Sequence, residues 1–298
     1  MGMAHCSRIG FGALLSDILT KRLSGSIGVE ISKVNLADIS DGQFEEIRQL
    51  TFDHAVTVIR EQSLTPDRLE AFARRFGEPE QHVIKQFALP KNPNVFVVSN
   101  LKHKGRPIGA IRAGQYWHSD LSYMARPTMV SILHGLEVPS YGGDTMFTSM
   151  ISAYSELSPV IKGLLENLTA THEYALAYEK YFNHYPERPP LTDKARAATP
   201  PVSHPVIRTH PDTKEKALYV NPGFTRHINE LSPSESEAML SFLFSHIQKP
   251  HFIYRHSWAV GDVVIWDNQS TCHLAIADYD MNEARHFIRV SVKGSYPN

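Results

Sequence analysis

The sequence predicts an α+β fold, and three observations support that prediction. Short β-rich runs follow one another from Asn94 onward, separated by turn residues rather than by regularly spaced helices, which favours antiparallel strands. Segments with a helical spacing of apolar residues interrupt these runs. The chain has 298 residues, is 42% hydrophobic and shows no internal repeat, so we expect residues 1–298 to form one domain around one large core.

The N-terminal part of the chain predicts a strand, a helix and a second strand. Residues 25–36 alternate apolar and polar side chains, as a half-buried strand does. Residues 38–55 have an acidic start and place apolar residues at helical spacing. Residues 55–62 are again β-rich, so the chain is expected to return to the sheet there.

The helix with the clearest boundaries is predicted within residues 64–77. Thr65 is placed to cap its first turn, and Pro66 fits the first helical position because its missing N–H would have no partner there. Gly77 lies just beyond the expected end, where helices often leave the helical conformation.

The rest of the chain combines short strands with two packing helices. A Ser232-Pro233 start with Glu235 in the first turn marks the second helix. The predicted strands lie within residues 94–100, 129–138, 144–150, 217–224, 262–268 and 287–294, and the helices within 151–168 and 232–249.

One long segment, residues 178–205, is rich in Pro, Arg, Lys and Tyr and has no clear periodicity. Long loops inside compact domains often form lids or binding loops, and a disordered insertion has the same composition. The sequence therefore leaves two interpretations of this segment open.

Composition excludes several classes of protein. Thirty basic and thirty-one acidic residues give a net charge of -1, so we expect no nucleic-acid partner. Cys6 and Cys272 are too few for a disulfide framework and suit a reducing compartment, which predicts a cytoplasmic location. The N-terminus does not resemble a secretion signal, and no run approaches the roughly 18–20 apolar residues of a membrane span.

A candidate metal site begins with His118 and Asp120 in the segment QYWHSDLSY. Residues two apart on a strand point to the same face and can share one metal ion. A second His-x-Asp, His210 and Asp212, has the features of an exposed turn, and we interpret it as a coincidence of sequence. The third candidate ligand is His273, which follows the predicted strand at residues 262–268.

Two histidines and one carboxylate leave coordination positions open, which suits a non-haem Fe(II) oxygenase. A zinc hydrolase is the chemical competitor, although the H-E-x-x-H motif is absent. A non-catalytic barrel that binds a small acid is a third interpretation. Cys272 is not expected to be a ligand, because adjacent residues on an extended chain point opposite ways.

Arg285 and Arg289 are candidates for binding anions. On a strand they would share one face about 13 Å apart, at ~3.3 Å per residue. A guanidinium group is a planar, permanently charged partner for a carboxylate or sulfonate. Spacing alone fits two surface arginines equally well.

The chain resembles the taurine dioxygenase and 2,4-dichlorophenoxyacetate dioxygenase family of Fe(II)/2-oxoglutarate enzymes. The resemblance covers nearly the whole sequence and preserves the family order of its motifs. They are GVEISKVNLAD, IREQSLTPDRLEAFARRFGE, WHSD, VPSYGGDTMF, HPVIRTHP, ALYVNPGFT, WDNQSTCH and the closing arginine pair. The resemblance implies a double-stranded β-helix core, jelly-roll and cupin-like, with flanking helices.

The same resemblance implies the cofactors and their ligands. Fe(II) would be held by His118, Asp120 and His273, with O2 and 2-oxoglutarate as cosubstrates and succinate and CO2 as coproducts. Thr145 and Arg285 would bind the distal carboxylate of 2-oxoglutarate. Family members commonly self-associate, so a homo-oligomer is expected.

For the prime substrate, the resemblance implies a small organic anion, such as a taurine-like sulfonate. Arg289 would meet its anionic group, and His82 and Phe224 would contact it. An alkyl sulfate or an aryloxyalkanoate is the alternative within the family. Two departures put taurine in doubt: Lys85 replaces a tyrosine and Gly114 replaces an asparagine of taurine dioxygenase. They predict a more anionic or bulkier acid, and Tyr174 is a further candidate for lining the pocket.

Overall fold

A computed structural model describes residues 18–182 and 191–298 of the chain. The described strands, in chain order, are β1 (Leu19–Arg22), β2 (Val29–Ser32), β3 (Val56–Ile59), β4 (Pro79–Glu80), β5 (Val95–Ser99), β6 (Lys102–His103), β7 (Arg106–Pro107), β8 (Thr128–Glu137), β9 (Thr145–Ser149), β10 (Thr169–His172), β11 (Val202–Pro205), β12 (Ile207–Thr209), β13 (Lys216–Leu218), β14 (Thr225–Ile228), β15 (Ile253–His256), β16 (Val263–Asp267), β17 (Thr271–Ala275) and β18 (His286–Lys293).

The described helices are α1 (Asp41–His54), α2 (Pro66–Phe76), α3 (Met150–Ser155), α4 (Pro159–Leu165), α5 (Tyr174–Ala177), α6 (Asp193–Ala198) and α7 (Pro233–His246). Short 3₁₀ turns lie at Leu36–Asp38, Lys85–Phe87 and Pro250–Phe252, and a π-helical turn lies at Tyr178–Phe182. The predicted mixture of helices and sheets is therefore confirmed. Among the described helices, none combines the length and the apolar composition that a membrane span requires.

The largest sheet has eight strands in the order β1-β2-β3-β16-β8-β18-β4, with β5 also paired to β18. Its strand pairs are antiparallel except β2 with β3. These two strands run parallel and are connected in sequence by the segment that contains α1. A second sheet, β15-β9-β17, is antiparallel throughout. Further small sheets are β11-β10-β14, β12-β13 and β6-β7.

Helix α2 lies where the local sequence signals predicted it. Thr65 accepts a hydrogen bond from the backbone N–H of Arg68, Pro66 is the first helical residue, and Gly77 follows the last. The helix buries its apolar face against the large sheet, and Leu69 is fully inaccessible to solvent. Each capped N–H removes one of the unpaired donors at a helix start, so the boundary follows from neighbouring residues alone.

The predicted helix at residues 151–168 divides into α3 and α4. Ser158 accepts a hydrogen bond from the N–H of Ile161, and Pro159 has no N–H that could continue the preceding helix. A new helix therefore starts at this serine-proline pair. The predicted strand at residues 217–224 is also shorter, because β13 ends at Leu218.

Part of the predicted loop at residues 178–205 lies outside the described residues, at 183–190. The described flanks are more regular than the composition predicted. They contain the π-helical turn, α6 and β11.

Apolar side chains cover both faces of the large sheet. On one face, Ile265 and Ile288 belong to the cluster that also buries α1 and α2. On the other face, Trp266 of β16 meets Phe147 of β9, with ring centroids 5.6 Å apart. The candidate ligands and arginines belong to the strands and loops that border this second layer.

Candidate metal centre and active site

His118, Asp120 and His273 come together although they are far apart in sequence. The N–H of His118 donates to the carbonyl of His273 over 3.0 Å, and the reciprocal bond is 2.8 Å long. This antiparallel bridge places the two histidines opposite each other. One possible ligand atom from each of the three residues lies within 4.8 Å of the others, and all three side chains are buried.

The donor set suits a divalent metal ion. His118 Nδ1 lies 2.8 Å from the carbonyl oxygen of Tyr116, which can only accept, so Nδ1 carries the proton and Nε2 keeps its lone pair. That Nε2 is 3.7 Å from Asp120 Oδ1, and His273 Nε2 is 3.9 Å from Asp120 Oδ2. Burial lowers the pKa of both histidines, which keeps their rings neutral and able to coordinate.

Asp120 is held as an ionised carboxylate by two side-chain donors. The hydroxyl of Ser131 donates to Oδ2 over 2.7 Å, and Nη1 of Arg289 donates to Oδ1 over 3.0 Å. Burial alone would raise its pKa, but the charge of Arg289, together with the two histidines, lowers it below the usual range. The carboxylate can therefore bind a metal ion without losing a proton first.

Sequence reasoning missed a buried residue that supports this arrangement, Asn268. Its side-chain oxygen accepts from the backbone N–H of Asp120 over 3.1 Å and from the indole of Trp266 over 3.0 Å. Its amide nitrogen donates to the hydroxyl of Ser131 over 2.9 Å. Asn268 lies in the WDNQSTCH segment that supplied His273, and that proximity is the sequence feature that could have pointed to it.

Arg285 and Thr145 line the same cavity as the candidate metal ligands. Arg285 is buried, and its Nε and Nη2 donate to the carbonyl of Gly143 over 3.1 and 3.0 Å. Within residues 18–182 and 191–298 no carboxylate forms an ion pair with it. Trp258 Nε1 donates to Thr145 Oγ1 over 3.0 Å, so the hydroxyl proton of Thr145 is available to another acceptor.

We call the cavity between these groups the metal cavity, and its volume is about 100 Å³. Nine of the ten residues that the sequence predicted for the site line it. Tyr116, Tyr123 and Tyr174 add to its aromatic wall. The predicted residues on its lining are His82, Gly114, His118, Asp120, Thr145, Phe224, His273, Arg285 and Arg289.

Lys85 is the predicted site residue that lies elsewhere. It belongs to an exposed 3₁₀ turn and lines an adjoining cavity instead. The chain turns between His82 and Lys85, so the side chain three residues after the histidine leaves the metal cavity.

Gly114 is constrained by its own backbone conformation and by the nearby ring of His118. Its backbone has φ +73°, and an added Cβ would lie 2.9 Å from Cε1 of His118. Any side chain here would press on a candidate metal ligand, and most would also strain the backbone. The glycine is therefore tied to the position of His118.

The second His-x-Asp does not build a metal site, but His210 is buried rather than part of an exposed turn. Its Nδ1 accepts from the N–H groups of Asp212 and Thr213, so Nε2 donates to Asp267 over 3.0 Å. The carboxylate of Asp212 instead pairs with Arg48 at 2.5 Å. His210 is a structural residue whose hydrogen bonds hold the turn that follows it and join that turn to the buried carboxylate of Asp267.

Comparison with known proteins agrees with this geometry. The family model described as taurine catabolism dioxygenase TauD, TfdA family matches residues 19–291. The chain belongs to the TauD/TfdA family. This family assignment, with a complete His-Asp-His group, makes the protein an Fe(II)- and 2-oxoglutarate-dependent dioxygenase rather than a zinc hydrolase or a silent barrel.

Individual members of the TauD/TfdA family differ in their substrates. The chain is 34% identical to an α-ketoglutarate-dependent 2,4-dichlorophenoxyacetate dioxygenase of Burkholderia sp. (strain RASC), over 86% of this chain and 87% of the relative. It is 32% identical to an alkylsulfatase of Acinetobacter baylyi, over 92% and 84%. A solved taurine dioxygenase from Burkholderia xenovorans has 32% identity and a TM-score of 0.80, covering 95% and 91%.

Proposed function

We propose that the protein hydroxylates a small organic anion, either a taurine-like sulfonate or a related acid such as an alkyl sulfate or an aryloxyalkanoate. The observation that carries this proposal is the presence of two separate guanidinium groups, Arg285 and Arg289, in the cavity of the metal triad. Two anion anchors suit a reaction with two acidic reactants, 2-oxoglutarate and the prime substrate. Two of the relatives, the 2,4-dichlorophenoxyacetate dioxygenase and the alkylsulfatase, are named for organic anions, which supports the same conclusion.

The metal ligands in this proposal are His118 Nε2, Asp120 and His273. When bound, Fe(II) together with 2-oxoglutarate supplies the oxidative chemistry, in which O2 is consumed and succinate and CO2 are formed. The protein contributes fixed geometry. Ser131 and Arg289 orient the carboxylate of Asp120, and the backbone carbonyl of Tyr116 orients the ring of His118.

The binding site for 2-oxoglutarate would use Arg285 and Thr145 for the distal carboxylate. Gly143 fixes the guanidinium of Arg285, and Trp258 orients the hydroxyl of Thr145 as a donor. A carboxylate here would compensate a buried positive charge that has no carboxylate partner among the described residues.

The prime substrate would place its anionic group near Arg289 and His82. The backbone N–H of Ile84 donates to Nδ1 of His82 over 3.0 Å, so the neutral ring carries its proton on Nε2 and can donate there. Phe224 and the neighbouring tyrosines offer apolar contact to the substrate carbon chain. Fixing the anion restricts which C–H bond can reach the metal.

We also propose that the large sheet and the β15-β9-β17 sheet form the double-stranded β-helix implied by the family, within one domain. The contact between Phe147 and Trp266 supports this arrangement, because it joins the two sheets through a buried core.

The experiment that tests the proposed function is succinate formation by the Fe(II)-loaded protein with 2-oxoglutarate and O2. The acids to compare are taurine, alkylsulfonates, alkyl sulfates and aryloxyalkanoic acids, with sulfite measured in parallel. We expect succinate to rise with at least one of these acids above the rate without any acid. Equal rates with and without every acid would contradict the proposal.

A further inference from the structure

A second cavity adjoins the metal cavity and is larger. Its volume is about 280 Å³, against about 100 Å³ for the metal cavity, and Ile84 and Ala110 line both. The two cavities are therefore adjacent, and we call the position of these two shared apolar side chains the junction.

The chemistry of this second wall is mainly apolar. Among the described lining residues, Lys85 is the one charged side chain, and it is exposed at the edge. Aliphatic and aromatic groups such as Val83, Phe87 and Leu191 supply most of the rest. A wall of this composition stabilises an apolar group and offers little to an ammonium ion, because no described carboxylate lines it.

The volumes of the two cavities favour a ligand that extends through both. The metal cavity must accept 2-oxoglutarate as well as the reacting part of the prime substrate, and little of its volume remains for a longer molecule. Together the two cavities reach the range of roughly 300–1,000 Å³ that is usual for organic ligands. His82 and Ile84 belong to one turn, so an anion at His82 lies beside the junction.

We propose that the second cavity holds the apolar body of the prime substrate, an organic sulfate, sulfonate or carboxylate whose alkyl or aryl group is larger than the aminoethyl group of taurine. This inference rests on the proposed function, because it assumes that the acid binds beside the metal triad. Arg289 holds the anionic end, and the apolar end passes between Ile84 and Ala110. The adjoining cavity then selects substrates by length.

Binding of straight-chain alkyl sulfates with two to ten carbons tests this proposal. Isothermal titration calorimetry of the full chain loaded with Mn(II) and N-oxalylglycine measures Kd without turnover. Once the chain passes the junction, each further methylene is expected to tighten Kd by up to about fourfold. Aryloxyalkanoates of matched length show whether the cavity accepts aryl as well as alkyl groups.

The variant Ala195→Trp fills the second cavity from α6 without touching the metal cavity. It is expected to weaken octyl sulfate binding at least tenfold and to leave ethyl sulfate unchanged. Ala197→Trp is the matched control, since it makes the same change at an exposed position of the same helix. Leu191→Ala removes apolar contact from the same wall and should weaken octyl sulfate more than ethyl sulfate.

Two results would overturn the inference: a Kd that does not depend on chain length in the wild type, or a dependence that survives unchanged in both Ala195→Trp and Leu191→Ala. The proposed function fails separately, through the absence of acid-dependent succinate formation. A length-dependent Kd without turnover would therefore leave the cavity assignment standing and remove the catalytic one.

Discussion

Arg289 donates from Nη1 to Oδ1 of Asp120 over 3.0 Å, across a separation of 169 residues. The other carboxylate oxygen accepts from Ser131, so both oxygens are oriented by side chains from neighbouring strands. Arg289 thus stands beside the candidate metal ligand as well as on the cavity wall where the substrate anion is proposed to bind. One guanidinium group is expected to serve both.

Replacing Arg289 by alanine tests this double role. Removal of a partner that orients a metal ligand typically costs roughly 10–100-fold in metal affinity, and loss of the anion anchor should also raise KM for the prime substrate. Iron retention after dialysis and steady-state kinetics measure the two effects. Arg289→Lys keeps the charge and should restore part of the substrate affinity. Unchanged iron content and unchanged KM in Arg289→Ala would refute both roles.

Replacing Arg285 by alanine should mainly weaken 2-oxoglutarate binding. A hydrogen bond to a charged group contributes about 1.5–3 kcal/mol, so KM for 2-oxoglutarate should rise roughly tenfold or more. Trp258→Phe removes the indole donor to Thr145 and should give a smaller rise of roughly two- to tenfold. If Arg285→Ala instead raised KM for the prime substrate alone, the assignments of the two arginines would have to be exchanged.

Gly114→Ala should disturb the metal centre without removing any polar group. The new Cβ would lie 2.9 Å from the ring of His118, and alanine is strained at φ +73°. We expect metal affinity to fall roughly tenfold, as for other changes that displace a ligand. Gly163→Ala is the control, because nothing lies within 4 Å of its added Cβ and the position is helical. Equal metal affinity in both variants would contradict the constraint.

Local sequence patterns predicted the elements whose boundaries depend on neighbouring residues. The cap at Thr65 and the proline at Pro66 act within one helical turn, so α2 could be placed without knowledge of the fold. The division between α3 and α4 was missed because the apolar spacing continues across Ser158-Pro159. Periodicity cannot distinguish one long helix from two short ones that bury the same face.

The candidate site could be predicted only where motifs carried it. The candidate ligands could be identified from spacing and resemblance, whereas the support from Ser131 and Asn268 depends on strand pairing that no local pattern encodes. Lys85 lies three residues after His82, but it lines the adjoining cavity rather than the metal cavity because the chain turns between the two residues. Sequence spacing does not reveal which cavity a side chain enters when a turn changes its direction.

Acidification should destabilise the fold through His172. This histidine is buried, and burial together with the nearby His204 lowers its pKa to about 3 from 6.5. Below pH 6.5 the unfolded chain therefore binds a proton that the folded chain excludes, so the free energy of unfolding falls as pH falls towards 3.

Urea unfolding at pH 7 and pH 5 measures this contribution. His172 should account for roughly 2 kcal/mol of the loss between these values, at about 1.4 kcal/mol per pH unit below 6.5. His172→Gln should lose correspondingly less stability on acidification than the wild type. His251→Gln is the control, because His251 is exposed. Identical pH dependence in the wild type and His172→Gln would contradict the buried neutral state.

The most direct test of the account is a comparison of Asp120→Ala with Asp212→Ala, the carboxylates of the two His-x-Asp sequences. Succinate formation is measured with Fe(II) and 2-oxoglutarate, with and without O2, alongside iron content and circular dichroism. We expect acid-dependent succinate formation to require O2, to be lost in Asp120→Ala with the fold intact, and to persist in Asp212→Ala. Near-normal turnover by Asp120→Ala with iron bound, or turnover without O2, would contradict the assignment of the metal centre.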